Sequence, residues 1–99
     1  MRRVHFRRDA EERLIDIYLY TLEHFGSIQA DRYEEGLERI FSLIAEHPMM
    51  GKPCDEISVG LRRHVWQAHV IYYVIEADGV SVIDILCAGQ DAVHDIRDP

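Results

Sequence analysis

Apolar residues recur along this chain in two rhythms. From Leu14 to Phe25 they fall three and four apart, at Leu14, Ile17, Tyr18, Leu22 and Phe25. That spacing lines one face of an α-helix. It returns at Ala30, Tyr33, Leu37, Ile40, Phe41 and Ile44. Between the two stretches, Gly26 predicts a stop and Ser27 the cap of the second helix. Helices joined by so short a turn must pack antiparallel. Asp9 is expected to cap the first helix, with Glu12 in the capping-box position and Glu11 favourable at a helix start. His47-Pro48 closes the second, because the residue before proline is pushed out of the α region.

From Gly60 to Gln90 the rhythm shortens to that of strands. Gln67-Ala68 and Asp78-Gly79 divide this stretch into three β-rich runs, and Asp-Gly supplies the positive φ that a two-residue hairpin turn needs. Val70 to Ile75 are apolar or aromatic throughout, as in a central strand covered on both faces. Arg3 to Phe6 predicts a short edge strand. Met49 to Val59, with Pro53 and Gly51 and no period, reads as a loop crossing to the sheet. The order is β-α-α-β-β-β, which implies an α+β fold: a helical hairpin packed on one face of a small antiparallel sheet. Ile71 and Tyr73 should face the hairpin, opposite Leu14, Ile17, Leu37 and Ile44.

Ninety-nine residues, 47% of them hydrophobic, suit one domain spanning residues 1–99. Cys54 and Cys87 are far apart and match no ligand spacing, which points to reduced thiols in a cytoplasmic protein. Met1-Arg2-Arg3 is followed by no apolar signal core, and no run is long enough to span a membrane. The formal charge of −7 argues against broad attachment to nucleic acid. Charge is divided unevenly. Asp9 to Glu38 holds nine carboxylates against Arg13 and Arg32, whereas between Glu56 and Glu76 the charged or titratable groups of note are Arg62, Arg63, His64 and His69.

Candidate chemistry is sparse. His64 and His69 are five apart across a turn, and neither a helical His-x-x-x-His nor a Cys-x-x-Cys pair is present, so no metal or other cofactor is expected. Cys87 with His69 or His64 could pair nucleophile and base, but a strand-end cysteine is expected to be buried and inert. Glu34, Glu35 and Glu38 form a solvated helix face. Asp91, His94 and Asp95 offer acid–base groups without a third partner. Trp66, beside two arginines at a strand end, is either an anchor for a partner or part of the core. Arg62 and Arg63 alternate across a regular strand, so at most one of them is a principal contact.

Five segments in order carry a resemblance. Ala10–Tyr20 (AEERLIDIYLY), Phe25-Gly26 with Gln29-Ala30-Asp31-Arg32-Tyr33, and Leu43–Pro48 (LIAEHP) with Gly51-Lys52-Pro53 are the first three. Gly60-Leu61-Arg62 and His69–Tyr73 (HVIYY) complete the set. Together they resemble the ParE branch of the RelE/ParE toxin superfamily, the toxin halves of bacterial type II toxin–antitoxin modules. Members often end the last strand with His, a basic pair and Asp; here Leu86-Cys87-Ala88-Gly89-Gln90-Asp91 keeps only the Asp.

The resemblance implies the fold already reached and a ParD-like antitoxin as partner, seated as an apolar helix or added strand near Leu37, Val70, Tyr72 and Val74. It implies inhibition of DNA gyrase through a surface, with no catalytic residue, and no specific DNA binding by the toxin itself. Arg62, Arg63, Trp66, Gln90 and Asp91 are the expected target contacts. Two alternatives stand beside it: a RelE-like ribosome-dependent mRNA endonuclease, with His94 as the late candidate, or a fold retaining only antitoxin binding. The endonuclease needs several cations to stabilise phosphoryl-transfer charge, and after Arg63 the chain has only Arg97.

Overall fold

The computed structural model describes residues 2–88. Strand β1 (Arg3–Phe6) leads into helix α1 (Arg8–Phe25) and helix α2 (Ser27–Glu46). A 3₁₀ turn at Pro48–Met50 follows, and then strands β2 (Lys52–Pro53), β3 (Leu61–Trp66), β4 (His69–Glu76) and β5 (Gly79–Cys87). The sheet order is β1-β5-β4-β3-β2, antiparallel except that β1 runs parallel to β5. The expected α+β arrangement is present, with one more strand: Lys52 and Pro53, expected in a loop, pair with Arg63 and Arg62.

Both faces of the central strand are covered, by different parts of the chain. Ile71 and Tyr73 pack under the helices with Ile17, Leu37, Phe41, Ile44, Val80, Val82 and Ile85, and Leu14 packs against this cluster. On the other face, Cys54 and Ile57 close over Leu61, Tyr72 and Leu86. The crossing loop therefore does for one face what the helical hairpin does for the other. Between β4 and β5 a bulge opposite Tyr72/Tyr73 leaves Ile83 without a register partner. It brings Asp84 within reach of α1, where Arg13 binds the carboxylate at 3.2 and 3.3 Å. Asp84 is itself buried, and its Oδ1 also accepts the Ile85 amide at 2.7 Å.

Several local expectations are corrected. Helix α1 begins at Arg8, and extended Arg7 takes the cap position without a side-chain bond, so Asp9 does not cap and Glu12 does not complete a box. The Arg7 amide is bonded to the Val82 carbonyl at 3.0 Å, so β1 hands the chain to the helix before Asp9 is reached. Asp9 and Glu11 lie in the first turn, where the helix dipole favours carboxylates. Gly26, at φ 88°, both ends α1 and caps α2, which leaves Ser27 inside the second helix. Leu22 and Phe25 are exposed rather than inner. The inward stripe of α1 runs instead through Ala10, Ile17 and Thr21, and the Thr21 hydroxyl is satisfied by the Ile17 carbonyl at 2.7 Å.

The second hairpin turn is also shifted by one residue. Glu76 pairs with Gly79, so Ala77 and Asp78 form the turn and Gly79 opens β5. Glycine is required there by close approach, since a Cβ would collide with the backbone of Arg3 on β1. Its place in the sequence comes from the parallel neighbour and not from the turn.

Candidate interaction site

The two helices do not close over each other completely. Between them lies a cavity of about 410 Å³. Its floor is apolar: Phe6, Leu14, Ile17, Leu37 and Phe41. Ile15 and Leu19 also line it, and both are more than half exposed, at 59% and 54%. The i, i+4 spacing of Ile15 and Leu19 places them on one edge of α1. On the α2 side the rim carries Glu34 and Glu38. At the far end of the hairpin, Tyr20, Phe25 and Ile28 are exposed too. A dimpled apolar surface with an acidic rim is suited to a macromolecular partner.

A second shallow recess lies at the other edge of α2. Gly36 lets the indole of Trp66 lie against the helix; a Cβ there would fall 2.6 Å from the Trp66 Cζ2. The Tyr33 ring packs on Trp66 at a centroid distance of 4.9 Å. Arg32 and Arg39, both exposed, stand on either side of the recess with Ile40 and Leu43. Trp66 therefore packs against the core while keeping part of its surface open to solvent. This clustering depends on Arg32, Gly36, Arg39 and Leu43 following helical spacing, a signal visible along α2 but without meaning until β3 places Trp66 beside it.

The expected target residues are divided. Arg62 lies on the helix-facing side with Trp66, but its guanidinium is occupied within the fold: it donates to the Gly51 carbonyl at 2.7 and 3.1 Å and to the Met49 carbonyl at 3.1 Å. Arg63 points to the opposite face beside Tyr72, whose phenol burial pushes up and Arg63 pulls back down. The alternation of the two arginines holds, with Arg62 the structural one. Gln90 and Asp91 lie outside the described residues, as do His94 and Asp95.

The expected antitoxin residues are also separated. Leu37 is in the cleft floor, while Val70, Tyr72 and Val74 belong to the cluster on the far face of the sheet. Tyr72 is buried there by Cys54, Ile57 and Leu61. Moreover β4 has β3 on one side and β5 on the other, so no strand can be added to it. Val70, Tyr72 and Val74, two residues apart along β4, share one face, and the sheet itself stands between them and Leu37 on the helix side.

Cys87, expected to be buried, is exposed; Cys54 is the buried thiol, and burial pushes its pKa up. Cys87 Sγ lies 3.9 Å from His69 Nε2, and His69 Nδ1 is 2.5 Å from the Tyr33 hydroxyl. Burial lowers the pKa of His69 and raises that of Tyr33. His64, the other suggested partner, is on β3 and is not part of this line. Among the described residues one trio, His5, Glu76 and Asp78, brings possible metal-ligand atoms within 4.8 Å of one another. All three are exposed, and His5 already meets Asp78 at 3.3 Å.

No helix among the described residues is long and apolar enough to cross a membrane. Residues 4–92 match the family described as the ParE toxin of the type II toxin–antitoxin system parDE. A protein of Caulobacter vibrioides named Toxin ParE1 is 34% identical over 85 residues, covering 86% of this chain and 88% of its own length. A Toxin ParE1 of Mycobacterium tuberculosis is 30% identical over 83 residues, covering 83% and 85%. A solved structure titled as a chromosomal ParDE TA system from P. aeruginosa superposes with a TM-score of 0.74 at 14% identity, over 88% of this chain and 96% of that one. At that identity it shows a shared fold.

Proposed function

Because the chain belongs to the ParE toxin family of type II toxin–antitoxin systems, we propose that it inhibits DNA gyrase in the bacterial cytoplasm by surface binding, without catalysis. A ParD-like antitoxin would silence it by laying an apolar helical segment into the cleft between α1 and α2. The observation that carries the antitoxin half is that cleft: an apolar floor bordered by the half-exposed Ile15 and Leu19. Its Glu34 and Glu38 rim favours an occupant with basic residues flanking its apolar face.

Support for a surface-acting toxin comes from where the cations stand. Arg62 is committed to backbone carbonyls and Arg13 to Asp84. Arg32 and Arg39 flank Trp66 at the α2 recess, and aromatic and arginine side chains are the groups that most often anchor protein interfaces. Trp66, Arg32 and Arg39 are therefore the proposed target contact. Arg63 lies on the other face as a secondary one, and Gln90 and Asp91 are retained from the sequence as neighbours of the strand end.

Two measurements test the reading. Binding of the cognate antitoxin, followed by calorimetry, should weaken by at least about tenfold in Leu19→Glu or Ile15→Glu, both outward-facing enough to leave the fold intact. Unchanged affinity in both variants removes the cleft from consideration. Purified toxin should inhibit gyrase supercoiling or accumulate cleaved DNA. Gyrase left untouched while ribosome-bound mRNA is cut would replace this function with the endonuclease one.

A further inference from the structure

We propose that Cys87, His69 and Tyr33 form a reactive thiol site at which hydroperoxides oxidise the Cys87 sulfur to a sulfenic acid. The chemistry needs neither gyrase nor antitoxin, although Tyr33 also lines the helix cleft and packs on Trp66. It arises from strand register: His69 opens β4 and Cys87 closes β5 as direct partners, which sets the two side chains together on the helix-facing side. Tyr33 reaches them from α2, completing a line from Sγ to Nε2 at 3.9 Å and from Nδ1 to the phenol oxygen at 2.5 Å. The phenol is itself held by ring packing against Trp66 and His69, at 4.9 and 5.5 Å.

The protonation states suit a thiol–base pair. Burial lowers the proton affinity of His69, so near neutral pH the ring is uncharged and its free nitrogen can accept from S–H. The same burial disfavours the imidazolium, which the Tyr33 oxygen at Nδ1 has to offset. Burial raises the pKa of Tyr33, so its hydroxyl remains protonated and can turn to accept from Nδ1–H. In that tautomer Nε2 presents its lone pair to the sulfur. When the S–H proton moves to Nε2, the Tyr33 oxygen still accepts from Nδ1–H and steadies the imidazolium. A resting contact of this length shortens as charge develops.

The step balances. The sulfur attacks one peroxide oxygen, the O–O bond breaks, and the departing oxygen takes the Nε2 proton to leave as water or an alcohol. Sulfur is oxidised by two electrons, the peroxide is reduced by two, and His69 returns to its neutral form. Cys87 is exposed and Cys54 is buried, so the second thiol serves as an internal control within one molecule.

The test uses the purified full chain, iodoacetamide and hydrogen peroxide at neutral pH, with each cysteine followed by peptide mass spectrometry. Cys87 should alkylate about tenfold faster than N-acetylcysteine under the same conditions, and Cys54 far more slowly. With peroxide and dimedone present, the adduct should appear on Cys87. His69→Gln should slow both reactions of Cys87 about tenfold, and Tyr33→Phe, which keeps the ring packing, by a few-fold. Circular dichroism checks that each variant is folded. Should His69→Gln fail to fold, Tyr33→Phe and the comparison with N-acetylcysteine decide the matter. A Cys87 that alkylates no faster than N-acetylcysteine, or that forms no sulfenic adduct, overturns the proposal. So does indifference to both substitutions.

Discussion

Tyr73 has no exposed surface, yet its hydroxyl is fully engaged: it accepts the Gly51 amide at 2.9 Å and donates to the Pro48 carbonyl at 2.7 Å. Arg62 binds the same segment through the Gly51 and Met49 carbonyls, so two side chains from neighbouring strands hold the chain where it leaves α2. Tyr73→Phe should destabilise the fold by about 1–3 kcal/mol, since it leaves a buried donor and acceptor unsatisfied. Urea denaturation would show this, and a midpoint within error of the parent would mean that water replaces the hydroxyl. His69 gives a pH signature. Its folded pKa lies below the ordinary 6.5 through burial. Its neutral ring therefore contributes stability that is fully present above about pH 6.5 and is lost as pH falls through that value towards the folded pKa. The thermal midpoint should drop over that window, and His69→Gln should remove this part of the drop. Parallel pH curves for the two proteins would assign the effect elsewhere.

At the scale of elements, β1 holds an edge that nothing but β5 supports within the sheet. The Arg3 and Arg7 amides bond to the Asp78 and Val82 carbonyls at 2.8 and 3.0 Å. Those bonds require the Arg3 backbone to pass directly over Gly79. Gly79→Ala should therefore push β1 aside while leaving the β3-β4-β5 pairing in place. Hydrogen exchange reads this directly: the Arg3 and Arg7 amides should lose protection, and the Ile71 and Tyr73 amides should keep theirs. Retained protection at Arg3 would show that the strand can accommodate a methyl group. The helical hairpin illustrates the opposite economy. Gly36 on α2 leaves room for Trp66, so a residue poor in helix propensity creates the recess that carries the proposed target contact.

For the whole molecule, charge and apolar surface are distributed over two differently lined recesses. The cleft has an acidic rim on a chain of formal charge −7, whereas the Trp66 recess is flanked by Arg32 and Arg39. A basic apolar antitoxin segment and a target with an acidic patch can thus be told apart by field as well as by shape. Reversing the recess with Arg32→Glu and Arg39→Glu together should weaken gyrase inhibition about tenfold or more and abolish its sensitivity to added salt. Antitoxin affinity should change little. Equal loss of both activities would mean that the two surfaces are one.

The alternation of rhythms was sufficient to read the helical hairpin, the three-stranded meander, the short edge strand and the burial of Ile71 and Tyr73. The helices follow from a three-and-four period, and the central strand from an unbroken apolar run bounded by turn residues. The motif order from Ala10 to Tyr73 was likewise sufficient for the family. What the tertiary structure decided concerns partners distant in sequence. Arg7 enters the helix early because Val82 holds its amide, and Gly79 is a glycine because Arg3 crosses it. Tyr72 faces away from the helices but is buried by Cys54 and Ile57, from a loop without any period. Arg62 is engaged within the fold by carbonyls eleven and thirteen residues earlier. Arg32 and Arg39 come to flank an indole because β3 delivers Trp66 to α2. Cys87 meets His69 only through β4–β5 register. Periodicity tells which side of an element a residue is on, but which group meets it there is set by pairing register and packing between segments that the chain does not place side by side.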